Sequence, residues 1–269
     1  MKSETKIYVV IACVICLTVG ILAGYLPGYY SGIQNQGDIL TQVSTSDALA
    51  DGLYEGVITY GDLKGYGDLG LGTFNALDGE MVAVDGAFYQ IKADGVAYPV
   101  KDDLTTPFAC VIFFDADREI PVWKGMNYTQ FQDYLSDATQ EKNIFHAVKM
   151  EGTFEYVKTR SVPKQEKPYP PLVEVTAHEP IFEFHDVKGT MVGFYCPEYF
   201  VGLNVVPYHM HFITEDRKAG GHILEFIIKD AELSVDYSSE LRMILPNTEG
   251  FNSLNLTKSR TEELEKAEK

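Results

Sequence analysis

A chain of 269 residues, 45% hydrophobic and 23% charged, has the composition of an ordinary globular protein and enough apolar mass for a sizeable core. Its formal net charge of −17 repels phosphate backbones and anionic lipid surfaces, so nucleic acid is not expected as a partner. The 17 Tyr and 15 Phe, with many Val and Ile, favour strands over helices.

Lys2 and Lys6 precede an uncharged apolar run over residues 7–26, roughly 20 residues long, the length of a bilayer-crossing helix. A positive start, an apolar run and a polar continuation predict export of the remainder of the chain. Residues 1–31 thus read as a signal or anchor segment contacting the membrane, with an uncleaved anchor favoured by the length of the run. The expected location is extracytoplasmic, membrane-anchored or secreted. Cys13 and Cys16 fall inside this run, where their spacing fits small lipid-facing residues better than redox chemistry. Residues 32–50, rich in Gly, Gln, Ser and Asp, read as a tether ending in a short helix near Ser46.

From Gly52 the pattern turns strand-like. The glycine-rich passage over residues 65–75 reads as a string of tight turns. It is not a phosphate loop, since no Gly-Lys-Ser/Thr closes it, nor a dinucleotide fingerprint. Two alternating runs, Asp78–Val84 and Asp85–Ile91, joined at Asp85-Gly86, predict a hairpin. Residues 107–114 form a continuous apolar run, a buried strand. Over residues 127–145, Phe131, Tyr134, Leu135 and Ala138 recur at helical spacing, giving the clearest helix of the body. A lobe boundary is expected just after it, dividing an N-terminal lobe (51–150) from a C-terminal lobe (151–250).

Strands resume at residues 147–159. A proline-rich connection with Pro163, Pro168, Pro170 and Pro171 is too stiff for helix. Strands are then expected at 182–185, 190–196, 208–214, 222–229 and 231–245. Cys110 and Cys196 lie on two separate apolar segments and read as two buried thiols, one disulfide being the alternative. The polar tail, 251–269, carries Glu262, Glu263, Glu265 and Glu268 and by composition alone would fray.

The most informative stretch is Tyr208-His209-Met210-His211-Phe212-Ile213-Thr214. In a strand, residues two apart share a face, so His209 and His211 project together. Polar residues 215–219 and the pair Gly220-Gly221 predict a hairpin loop, which folds His222 back opposite His211. Three of the six histidines then converge, and three imidazoles with an open fourth side make a typical catalytic zinc arrangement. Two other readings fit the histidines alone. A cupin-like barrel is one, but it needs a further ligand histidine and none follows His222. A non-catalytic, membrane-tethered metal- or ligand-binding module is the other.

Three ordered motifs separate these readings. Gly70-Leu71-Gly72-Thr73-Phe74-Asn75-Ala76-Leu77-Asp78-Gly79-Glu80-Met81, Thr159-Arg160-Ser161-Val162-Pro163-Lys164-Gln165, and His209 to Asp216 with Gly220-Gly221-His222 resemble the signatures of the α-acetolactate decarboxylases. The likeness runs from about Gly52 to the C-terminus. It implies an α/β (α+β) fold of two strand-rich lobes with mixed sheets and few helices, here preceded by the apolar N-terminal helix, and usually a homodimer. It implies a carboxy-lyase that converts 2-acetolactate to acetoin and CO2, with Zn2+ held by His209, His211 and His222. Thr73, Glu80 and Arg160 would line the pocket. A glutamate of the C-terminal tail, which closes over the site, would complete it: Glu268 by an ungapped count, with Glu265 and Glu263 close by. The chemistry suits these residue types. The carboxylate of 2-acetolactate is β to a ketone, and a divalent ion would stabilise the enediolate left by CO2. Arg160 would hold the carboxylate, and Glu80 or the tail glutamate would return the proton.

Overall fold

Runs of Val, Ile, Phe and Tyr broken by Gly, Pro and Asp make most of this chain extended. The structure, a computed structural model, describes residues 38–139, 141–257 and 260–267, the side chain of Glu265 excepted. In chain order the strands are β1 (Ile39–Val43), β2 (Ile58–Thr59), β3 (Leu69–Thr73), β4 (Glu80–Val84), β5 (Ala87–Ile91), β6 (Ala97–Pro99), β7 (Thr105–Thr106), β8 (Ala109–Ile112), β9 (Arg118–Ile120), β10 (Phe145–Arg160), β11 (Ile181–Tyr195), β12 (Tyr208–Thr214), β13 (Gly220–Ser238) and β14 (Glu240–Ile244). Short helices α1 (Ser46–Ala50) and α2 (Tyr60–Leu63) come early, α3 (Tyr128–Thr139) is the longest, and α4 (Leu172–Thr176), α5 (Glu249–Ser253) and α6 (Thr261–Ala267) come later. The fold is mixed α+β, strand-rich with few helices. By contact, the described residues form one unit.

Two sheets dominate. The first has seven strands in the order β14-β1-β8-β3-β4-β5-β6. In the second, β10, β11, β12 and β13 pair antiparallel in turn and β13 pairs back onto β10, closing a ring that β9 extends. Period-2 alternation gives each strand of the ring two apolar faces. Val148, Met150, Met191, Met210, Phe212 and Phe226 fill one core, over which α3 lays Phe131 and Leu135. Each such side chain, fully buried, contributes about 1.5–3 kcal/mol. The opposite face, with Val192, Phe194 and Ile213, packs on Leu69, Leu71, Val82 and Val84 of the first sheet. This seam between the sheets positions the site.

Local chemistry explains several elements. Asn127 Oδ1 accepts from the Gln130 amide at 2.9 Å while Gln130 Oε1 accepts from the Asn127 amide at 3.1 Å, a reciprocal cap that starts α3. At the expected Asp85-Gly86 turn both residues have positive φ, 51° and 77°, as a two-residue hairpin of this hand requires. Cys110 and Cys196 are buried free thiols.

Some expectations need correction. The glycine-rich passage holds a central strand, β3, because its glycines let neighbouring backbone approach: a Cβ on Gly72 would lie 2.4 Å from the Phe108 carbonyl oxygen. The strands expected at 182–185 and 190–196 are one, β11, and those at 222–229 and 231–238 merge in β13. Pairing with β10 carries both strands through their polar interruptions. The tail does not fray throughout, since α6 buries Leu264 and Ala267 beside Tyr54, Leu77, Val162 and Leu172. The expectation of a membrane-anchored or secreted chain is also corrected: among the described residues no helix is long and apolar enough to cross a membrane. The apolar run over residues 7–26, read as a signal or transmembrane helix, lies outside the described residues.

Candidate metal centre

Strand register assembles the site. Across β12 and β13, His211 is opposed to His222, as the hairpin reading requires, and across β10 and β13 Arg160 is opposed to His222. Opposed residues share a face, so Arg160, His222 and His211 form one row over three strands, with His209 one step along β12. Gly221, at φ +140°, permits this, since a Cβ there would stand 2.3 Å from the Arg160 carbonyl oxygen.

The three imidazoles form a nearly equilateral triangle, with ring centroids 5.1, 5.1 and 5.2 Å apart. One nitrogen of each lies within 4.8 Å of the other two. His209 Nε2 and His222 Nδ1 are 3.2 Å apart, close to the separation of about 3.3 Å that two imidazole nitrogens take on a tetrahedral zinc ion. All three residues are buried. Burial pushes His209 down to about 3, helped by the positive charge of Arg160, and carries His211 well below its ordinary value, helped by neighbouring His209. His209 and His211 are therefore neutral, the form that ligates a metal.

His211 is aimed by the other sheet. Its Nδ1 lies 2.8 Å from the Met81 carbonyl oxygen, and since a carbonyl only accepts, Nδ1 carries the proton. That leaves the Nε2 lone pair facing the triangle, a buried nitrogen with no hydrogen-bond partner and with Glu80 Oε2 at 3.7 Å. The donor set fits a divalent metal, and imidazole nitrogens suit zinc among several.

Thr73 and Glu80 are an opposed pair on β3 and β4, on the faces that bury Leu71 and Val82 in the seam. They form the polar end of that apolar contact. Thr73 Oγ1 donates to the Gly79 carbonyl at 2.7 Å, tying down the turn before Glu80. Thr73, Glu80, Arg160, His209 and His222 share a cavity of about 40 Å³ closed by Leu77, Phe108, Val162 and Leu172. On the other side of His222 a pocket of about 500 Å³ opens between α3, the residues before β12 and Leu264 of α6. Arg160 Nη1 donates to Glu179 Oε1 at 3.0 Å and to the Ala267 carbonyl of α6.

Of the tail glutamates, Glu268 lies outside the described residues, as does the side chain of Glu265. Glu263 Oε1 accepts from Arg260 Nη1 at 3.4 Å, and Arg260 also pairs with Asp51. Two participants escape a reading of the sequence: the Met81 carbonyl, which any residue could supply, and Glu179, which has no local signature. The register of β10 on β11 is what would have disclosed Glu179.

Known proteins resemble this chain in sequence and in fold. The alpha-acetolactate decarboxylase family profile matches residues 40–258. The alpha-acetolactate decarboxylase of Methanosarcina mazei is 48% identical over 235 residues, 87% of this chain and 82% of that protein. That of Methylococcus capsulatus is 45% identical over 228 residues, 84% of this chain and 87% of the relative. The crystal structure of the Bacillus subtilis alpha-acetolactate decarboxylase superposes with a TM-score of 0.83 at 38% identity, covering 86% of this chain and 99% of that one. A Staphylococcus aureus protein described as similar to alpha-acetolactate decarboxylase gives 0.81 at 29% identity, covering 85% and 99%.

Proposed function

The chain belongs to the alpha-acetolactate decarboxylase family and is an enzyme of that carboxy-lyase type, and on that premise we propose that it converts 2-acetolactate to acetoin and CO2 with Zn2+ at the three-histidine site. The observation that supports the site is the buried triangle of imidazoles, with nitrogens within 4.8 Å of one another, beside Glu80 and Arg160.

His209, His211 and His222 would hold the ion, which when bound supplies Lewis acidity toward the ketone and hydroxyl oxygens of the substrate. Arg160 receives the carboxylate, a planar group that its donors match in pairs. Holding the carboxylate there would keep the bond to be broken perpendicular to the plane of the neighbouring ketone, where its electron pair overlaps the carbonyl π system. As that carbon–carbon bond breaks, CO2 leaves neutral and the electron pair passes toward the ketone oxygen. Glu80, or the tail glutamate Glu268, then supplies a proton to carbon. Thr73 keeps the turn before Glu80 closed and presents an oxygen to the cavity. The apolar lid of Leu77, Phe108 and Leu172 limits water.

Acetoin release from 2-acetolactate, measured before and after chelation and again on adding zinc, tests the reading. Activity should vanish with the metal and return with it. A folded, zinc-loaded protein that yields no acetoin would sink the reading, and a metal-binding module without Glu80 or Arg160 chemistry would take its place.

A further inference from the structure

Arg160 does not stand alone in its cavity. Glu179 lies in the turn after α4, two residues before Ile181 of β11, the residue opposed to Arg160. Arg160 and Glu179 meet at 3.0 Å with side chains only 5% and 8% exposed. Such a pair differs from a surface ion pair, which solvent screens and entropy loosens. Removing one partner here leaves a buried charge facing an apolar wall.

A guanidinium is planar and carries five N–H donors in fixed directions. With Nη1 committed to Glu179 and to the Ala267 carbonyl, the rotation of the whole group about its stem is set. The charge matters as well. A carboxylate loses its negative charge as CO2 departs, so an arginine that gripped it too strongly would stabilise the ground state over the transition state. A carboxylate already bound to the arginine moderates that grip.

We propose that Glu179 is a positioning residue for the decarboxylation, orienting the Arg160 guanidinium toward the substrate carboxylate and moderating its hold on that group. The proposal rests on the carboxylate-binding role of Arg160 in the decarboxylase reading. It makes no contact between Glu179 and the reacting atoms necessary.

Steady-state kinetics of the zinc-loaded full chain and its Glu179→Ala and Glu179→Gln variants, each also in an Arg160→Ala background, provide the test. Glu179→Ala should lower kcat/KM by about ten- to a hundredfold, the scale of a misplaced binding group, with zinc content unchanged. Glu179→Gln keeps an oxygen for Arg160 but drops the charge, so KM and kcat should fall together, by roughly three- to tenfold, as ground-state binding tightens. In the Arg160→Ala background either change should alter kcat and KM each by less than about twofold, because a residue acting through Arg160 has nothing left to act on. Equal losses in both backgrounds, or wild-type constants for both single variants, would overturn the proposal. If Glu179→Ala does not fold, the Glu179→Gln pair decides alone. An inactive wild type would instead count against the functional reading itself, which keeps the two failures apart.

Discussion

His146 and the trio of His209, His211 and His222 sit on the same ring of strands, and all four are buried. Burial holds His146 down at about 4, much as it does His209. The two regions differ in which face they occupy. His146 points into the aromatic core, its ring 4.5 Å from Tyr195 and only 9° from parallel, with Tyr208 and Tyr237 at its edges. The trio points into the seam between sheets, where nitrogens converge and Glu80 and Arg160 arrive from other strands. Burial makes a histidine neutral in either place. Convergence of lone pairs, which alternation along β12 and the return of β13 bring about, is what makes a metal centre.

The contrast can be broken most sharply at the trio. His211→Ala should abolish zinc binding and cut acetoin formation by at least about a thousandfold, the scale of losing an electrostatic stabiliser, whereas His146→Phe should leave both near wild type. Metal analysis beside an acetoin assay reads this directly, and zinc loss from His146→Phe would erase the distinction. Next in size, truncation after Leu256 removes α6 and the tail glutamates. It should lower kcat by on the order of 10²-fold or more, as loss of a proton donor does, and lower the melting temperature by exposing Leu77, Val162 and Leu172. An unchanged rate would make the tail a passive end. Arg160→Lys should lose on the order of 10²-fold in kcat/KM with zinc content normal, because an ammonium cannot match a carboxylate in two places or keep both Glu179 and Ala267. Equal rates would remove Arg160 from the mechanism.

The smallest effect concerns pH. His146 is neutral in the fold at pH values where the unfolded chain, with its ordinary histidine value of 6.5, takes up a proton. Stability therefore falls as pH drops from about 6.5 toward about 4, by at most roughly 3 kcal/mol from this residue. His146→Phe should remove that share, so its denaturation midpoint should decline less steeply over this window than the wild type's. Identical slopes would show that His146 is not held neutral.

Much of the site was legible because it depends on short-range geometry. The period of a strand puts His209 and His211 on one side, and the Gly220-Gly221 hairpin returns His222 opposite His211. The helix expected over 127–145 was legible from Phe131 and Leu135, although it ends at Thr139 and β10 takes over at Phe145. The ordered motifs gave Thr73, Glu80 and Arg160 through resemblance, whereas spacing gave them no reason to meet. Glycine misled at β3, where its usual association with turns concealed a strand that needed missing side chains. Composition misled at the tail, where Leu264 and Ala267 alone among polar neighbours are enough to dock a helix.

By itself, then, the sequence determined the local devices: the paired histidines, the turns, the cap of α3 and the alternation that gives each strand its faces. All of these rest on backbone periods and on conformations within a few residues, which the chain carries wherever it lies. The tertiary structure decided the closure of β13 onto β10, the seam that brings the Met81 carbonyl and Glu80 to His211, and the meeting of Arg160 with Glu179. Those contacts join residues far apart along the chain, and they exist only once burial of the two apolar cores outweighs the entropy of closing the long loops between them.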